Sequence, residues 1–490
     1  MIRMPERGRR ARRRLMMMCV AGIAAGVTAL GLGSASFAAA QINVPCSTGA
    51  LVAAINTANS AGGRTINLAA GCHYSLTTPD NGENGLPVVT SQIVVNGNGA
   101  TIDGTNSVRI LEVDGPGGSL SLQNVTLTGG SASDFGGAIA NLGGAVSLNH
   151  SLVTGNAAAD AGGGIASATF DPSSVAKLTL NHSAVNKNEQ TAGPDDENAL
   201  GGGGIVNILG TVTLNHSQAN GNDAEGFVGG GIASGDYFNF SSTSSVLTLN
   251  NSQVDGNTAP NAGGGGVQNL LGSATLNNSE VDGNTSLNGG GISSGSGGNA
   301  PPLVSHLTLN NSEVDGNTAT TAPGEGPPIA GGGIANGGEA LLNNSEVDNN
   351  TASHAAAGGI SNHGRMTLNN TEVNGNSAAG TGLVGSGGGI VSAQGPPETG
   401  DTILTLNNSR VNDNHAHGDG GGIANGVPFP GMPLPGGALT LHNSQVTGNV
   451  AAHGGGIFNS GGSVTLSNTA VTGNTPDNCY PPGTIAGCTG

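Results

Sequence analysis

Two rows of carboxylates are the first groups in this sequence that could do chemistry. Asp255, Asp282, Asp315 and Asp348 stand at one point of a recurring unit, "LNNSEVDGNT" in its clearest form. Glu280, Glu313, Glu346 and Glu372 stand two residues before that point. Carboxylates brought close together repel one another, so they are either screened by solvent and salt or bridged by divalent cations such as Ca2+. The G-G-x-G-x-D pattern of a buried calcium turn is absent, so no dedicated calcium cage is expected. His150, His182 and His216 also share one position of the unit, where later copies have Asn. Two readings are open there: a metal ladder, or exchange of one hydrogen-bonding side chain for another. Tyr237, Phe238 and Phe240 form an aromatic cluster in an insertion and mark a candidate ligand loop.

These groups need a scaffold, and the repeat describes one. The residue after "TL" or its equivalent falls at Gln123, Asn149, Asn181, Asn215, Asn250, Asn277, Asn310, Asn343, Asn369, Asn407, His442 and Ser467. The shortest interval between these is 25 residues and the longest 38, which is one fixed unit with optional insertions. Each unit holds "GGGIAN", "LTLNNS" and "EVDGNTA" segments. Leu-Thr-Leu and Glu-Val-Asp alternate, which is the period of a strand. Gly and Asn stand between them, where corners need positive φ. Three short strands per coil, each with its apolar residues inward, make an all-β parallel β-helix. Coils then stack at roughly 4.8 Å and identical decapeptides lie one above another. The Asn of "GN", from Asn156 to Asn474, is placed to pass hydrogen bonds from coil to coil. The N-x-S/T triplets are read as ladder positions rather than glycosylation sites.

Composition agrees. The chain has 490 residues with 90 Gly, 8 Phe, 3 Tyr and no Trp, which suits a narrow interior filled many times over. Residues 1–40 read as an export signal: a basic stretch, an apolar run and small residues before a cut after Ala40. "RRRLMM" faintly resembles a twin-arginine signal. Seven of the 13 basic and one of the 31 acidic residues lie in that segment, leaving 6 against 30, a net charge of −24. Such a surface repels nucleic acid and anionic membranes. No further membrane span is expected.

The string "VTGN…GGGI" resembles the repeat of chlamydial-type polymorphic outer membrane proteins. Gly136-Gly137-Ala138-Ile139 matches the first signature of that family, and Val153-Thr154-Gly155-Asn156 matches the second with Val for Phe. The opening "ALVAAINTANSAGGRTINLAAGCHYSLT" is similar to secreted pectate-lyase-like right-handed β-helix proteins. That resemblance implies a right-handed coil closed by a short N-terminal helix near residues 49–60. It also implies a search for polysaccharide lyase and hydrolase motifs. The N-T-D, G-H-G and R-I-K strings are missing, the Asp195-Asp196 pair lies in an insertion, and no catalytic residue is assigned. The reading is a signal peptide (1–40), an N-terminal cap with first coils (41–115), β-helix repeats (116–475) and a C-terminal tail (476–490). The expected function is non-catalytic: adhesion, or polysaccharide or matrix binding, at or outside the cell surface. The alternative is a polysaccharide lyase or glycoside hydrolase. Ice or mineral binding along the Thr179–Thr465 row ranks third.

Cys46 with Cys72, and Cys479 with Cys488, form one close pair at each end, which an exported chain would oxidise. Replacing Cys46 or Cys72 by Ser should lower stability by about 3 kcal/mol, or promote end-to-end association. An unchanged melt together with a monodisperse solution would show that the bridge is no part of a cap.

Overall fold

A computed structural model describes residues 41–489, apart from 172, 197–198, 238–243, 296–303, 321–329, 381–384, 396–400 and 430–432. The export signal therefore lies outside the described residues, as do Phe238 and Phe240.

The chain is a right-handed parallel β-helix. One coil shows how. His306–Asn310 forms the first strand, with Leu307 and Leu309 turned into the core. Asn311 then adopts φ +49° and turns the chain, and Ser312 points inward. Glu313–Asp315 is a second segment with only Val314 buried. Gly316, at φ +61°, makes the next corner, and Asn317 is buried behind it. Thr318–Ala319 and Ile334–Asn336 complete the turn. The three strands expected per coil are thus four segments, because Gly316 and Asn317 divide "EVDGNTA" into two.

Stacking is in register. Leu276 pairs with Leu309 and Asn277 with Asn310, so the two identical decapeptides do lie on top of each other. The segments collect into parallel sheets of 18, 10, 14 and 6 strands. Among the named strands, an antiparallel pair occurs in the hairpin Gly426–Val427 with Leu434–Pro435.

Three side-chain ladders run along the axis. The innermost is the predicted one. Asn317 Oδ1 accepts both the backbone N–H and the Nδ2 of Asn284, each at 2.9 Å. Its own Nδ2 donates to Val281 O at 2.8 Å and to Asn350 Oδ1 at 3.0 Å. The same pattern continues to Asn474, whose amide meets Asn478 Oδ1 in the tail. A second ladder is buried serine: each backbone N–H donates to the hydroxyl of the next coil, as Ser279 does to Ser312 at 3.1 Å. The third is outside, where Asn310 Nδ2 donates to Asn277 Oδ1 at 2.9 Å. This outer row contains the N-x-S/T asparagines, whose amides are engaged coil to coil.

The glycine content follows from the inner ladder. A Cβ on Gly333 would stand 2.9 Å from the Asn350 amide, closer than any side chain tolerates. The same clash recurs at Gly231 against Asn257 and at Gly389 against Asn414. Gly-Gly before Ile is therefore a demand for space.

Both ends are closed. The helix Thr48–Ser60 buries Leu51, Ala54, Ile55 and Ala58 over the first coil, one face at helical spacing. Cys46–Cys72 ties its start to the first coils, with Cα atoms 5.5 Å apart. At the other end Cys479–Tyr480 pairs with Ile457–Asn459, and Cys479 is bonded to Cys488.

Asn317→Ala would strip partners from Asn284 N, Asn284 Nδ2 and Val281 O at once. Buried groups left unsatisfied cost roughly 1–3 kcal/mol each, so chemical denaturation should show a loss on the order of 4 kcal/mol. Asn310→Ala, on the outer ladder, should cost less than about 1 kcal/mol. Equal losses would show that the inner ladder does not hold the coils.

Candidate functional site

Insertions leave the coil at the two ends of the 14-stranded sheet. Residues 169–176, 236–245 and 296–305 follow its strands, and 190–200 and 320–330 precede them. The stretch from "LTL" to "GNTA" carries no insertion: His306 to Ala319 and Lys177 to Gln190 are both 14 residues. All irregular chain is thereby gathered around one sheet.

That sheet is covered on its outer side. Ala166, Val206 and Ala233 turn away from the helix core, yet each is fully buried. They form a separate apolar layer with Ala161, Ala168, Ile208 and Leu209, against which Phe135, Phe170 and Tyr237 pack. The Phe135 and Phe170 rings are 6.4 Å apart. The Tyr237 hydroxyl is buried without a hydrogen-bond partner among the described residues, and burial raises its pKa. Of the aromatic trio, Tyr237 is therefore part of a packed layer. A similar layer sits farther along, where Phe429 and Leu434 cover Val391 and Ala424.

Beside the first layer is a charged cluster that the sequence reading did not assemble. Arg109 is buried. Its Nη1 donates to Asn84 Oδ1 at 3.0 Å, and its Nε to Phe135 O at 3.0 Å. It forms ion pairs with Asp134, with Glu112 at 3.4 Å and with Glu83 at 3.7 Å. Asp160 stands next in the row. Burial, then the charges of Asp196, Asp134 and Glu83, push its carboxyl up to about 7. Asp134 and Asp160 each sit two residues before Gly-Gly, in successive coils. That repeated placement was the available signal.

The predicted acidic rows do share one outer face. Glu280 pairs with Glu313, Glu313 with Glu346, and Asp315 with Asp348. The aspartates are half-buried, and one oxygen of each is in use. Asp282 Oδ1 accepts Asp315 N at 3.1 Å, and Asp348 Oδ1 accepts Asn374 N at 2.8 Å. Asp315 Oδ1 accepts Asn349 Nδ2 at 2.8 Å. Burial is the main cause that pushes Asp255 and Asp348 up to about 6 and Asp282 up to about 7. Glu313 is raised by burial and then by Glu346, Asp315 and Glu280. Gln253 donates to Glu280 at 2.7 Å, and Arg410 pairs with Glu372 at 2.5 Å. Among the described residues, no three His, Cys, Asp or Glu side chains already converge on a point that could hold a metal ion. No helix among them is long and apolar enough to cross a membrane.

No family model matches the chain, and no curated protein matches its sequence. Among solved structures, the A-module of mannuronan C-5 epimerase AlgE6 from Azotobacter vinelandii is similar at 14% identity. Its TM-score is 0.46, over 89% of this chain and 95% of that one. So remote a likeness carries no functional argument.

The raised carboxyls set a direction for pH dependence. The folded state holds these protons more tightly than the unfolded chain does, so stability falls as pH rises from about 4 to about 7. Asp282→Asn keeps an acceptor for Asp315 N, as Asn186 does for Asn220 at 2.9 Å in the same row. It should stabilise the protein at pH 7.5 by on the order of 1 kcal/mol, discounted for partial solvent screening. At pH 4 it should change nothing. A loss of stability at pH 7.5 in denaturant titrations would refute the burial argument.

Proposed function

We propose that the chain is a secreted, non-catalytic β-helix that binds a polysaccharide or matrix component at or outside the cell surface. The observation that carries this reading is the gathering of every long insertion around one sheet. Elsewhere the surface repeats the same residues coil after coil. A rigid scaffold that confines its variety to one face has the layout of a binding protein. The bridges Cys46–Cys72 and Cys479–Cys488 suit an oxidising compartment outside the cytosol. With 6 basic residues against 30 acidic ones after residue 40, the partner is a neutral or cationic chain. A nucleic acid does not fit.

Calcium bridging along the acidic rows belongs to the same reading. It would use the carboxylate oxygens that the backbone leaves free, and calcium should then raise the melting temperature more than sodium at equal ionic strength.

A second reading, a polysaccharide lyase or hydrolase, is favoured by one observation. Asp160, with its carboxyl near 7, lies among Asp134, Asp196 and Glu83. Carboxyls pushed apart in this way are what glycan-cleaving sites use.

A glycan array combined with a reducing-end assay separates the two. The expected result is saturable binding to a neutral or amino-sugar polymer with no new reducing ends. Asp160→Asn should leave that binding within about twofold. Cleavage that Asp160→Asn abolishes would replace the binding reading with the enzymatic one.

A further inference from the structure

The histidine position of the early coils is one that the backbone does not reserve for histidine. His150, His182 and His216 have φ of +49°, +47° and +48°. The same corner in later coils is Asn251, Asn278, Asn311, Asn344, Asn370 and others, all between +48° and +50°. Asn is among the residues that accept this left-handed conformation most readily. Imidazole in three consecutive coils is therefore a choice of side chain made over an unchanged corner.

In-register stacking places the rings as a column. The His150 and His182 centroids are 5.1 Å apart with planes inclined by 5°. His182 and His216 are 5.0 Å apart with planes inclined by 6°. All three are exposed at the rim of a groove of about 370 Å3. Its walls are Ser151, Ser183, Leu152, Ala184 and Gln218. No carboxylate lines it, so the donors offered are neutral nitrogens and water.

We propose that this column binds a divalent late transition-metal ion, Zn2+ or Cu2+, between neighbouring imidazoles. Imidazole nitrogen suits these metals, whereas Ca2+ and Mg2+ take oxygen ligands. Two nitrogens each about 2.1 Å from one ion stand roughly 3–4 Å apart. Parallel rings 5 Å apart reach that separation by turning toward each other about their Cβ–Cγ bonds, and the groove gives them room. Water completes the coordination. His182 belongs to both neighbouring pairs, so it is the ligand common to either position of the ion.

Zn2+ is titrated calorimetrically into the full chain, purified without a polyhistidine tag, and Cu2+ is followed by paramagnetic resonance. His182→Asn installs the residue found at this corner elsewhere and should preserve the melting temperature. It should weaken Zn2+ by at least about tenfold and remove the two-imidazole nitrogen signature from the Cu2+ spectrum. His150→Asn or His216→Asn leaves one pair, and affinity should stay within about threefold. His415→Asn with His417→Asn, the H-x-H pair outside the column, should leave the site unchanged. Failure of Zn2+ to saturate any site, undiminished binding in His182→Asn, or loss of the site in the His415 and His417 variant would each overturn the proposal.

Discussion

Everything in this fold depends on a column of asparagine amides inside it. Each amide accepts two N–H groups from the coil before and donates to the coil after, as Asn317 does between Asn284 and Asn350. A one-residue slip would break several buried hydrogen bonds in every coil at once, so the register is fixed. The amide also occupies the space where Gly333 and its equivalents pass, which excludes any side chain there. Repetition in the sequence is the trace of that geometry: the ladder admits one residue type at its own position and one at the position facing it.

The same constraint decides where variation is allowed. The 14 residues from His306 to Ala319 carry the inner Asn, the buried Ser and the outer Asn, and no coil adds a residue there. Insertions are confined to the ends of the Gly-Gly-Ile strands. Loops returning from both sides then bury the outer face of that sheet, and Val206 and Ala233 become interior. Polar groups carried by the repeat stay half-exposed, and their charges are tuned by depth. Asp282, with its carboxyl near 7, lies in a row whose early members are Asn186 and Asn220.

The coil could be read from sequence because its information is local and repeated. Leu-Thr-Leu, Asn-Gly corners and the Asn of "GN" each say the same thing in about a dozen copies. The paired cysteines and the ladder were legible for that reason. The division of "EVDGNTA" at Gly316 was not, because alternation of Val and Ala continues across the corner. The Arg109 cluster was not, because its members come from five different stretches of chain and only Asp134 and Asp160 share a pattern. Tyr237 read as a ligand-loop aromatic. Its place in a packed layer depends on Ala161, Val206 and Phe170, which no periodicity connects to it.

The identical decapeptides at 276–285 and 309–318 have a consequence for how such a chain changes. Each coil meets its neighbours through the same amide, the same hydroxyl and the same leucines. Excising one coil, or duplicating one, leaves every remaining junction as it was. Length is thus adjustable in whole steps without redesign of the interior. Near-identical segments are also where a gene recombines with itself most readily. A population of such genes would differ first in how many coils they encode, and so in how far the insertion-bearing face extends.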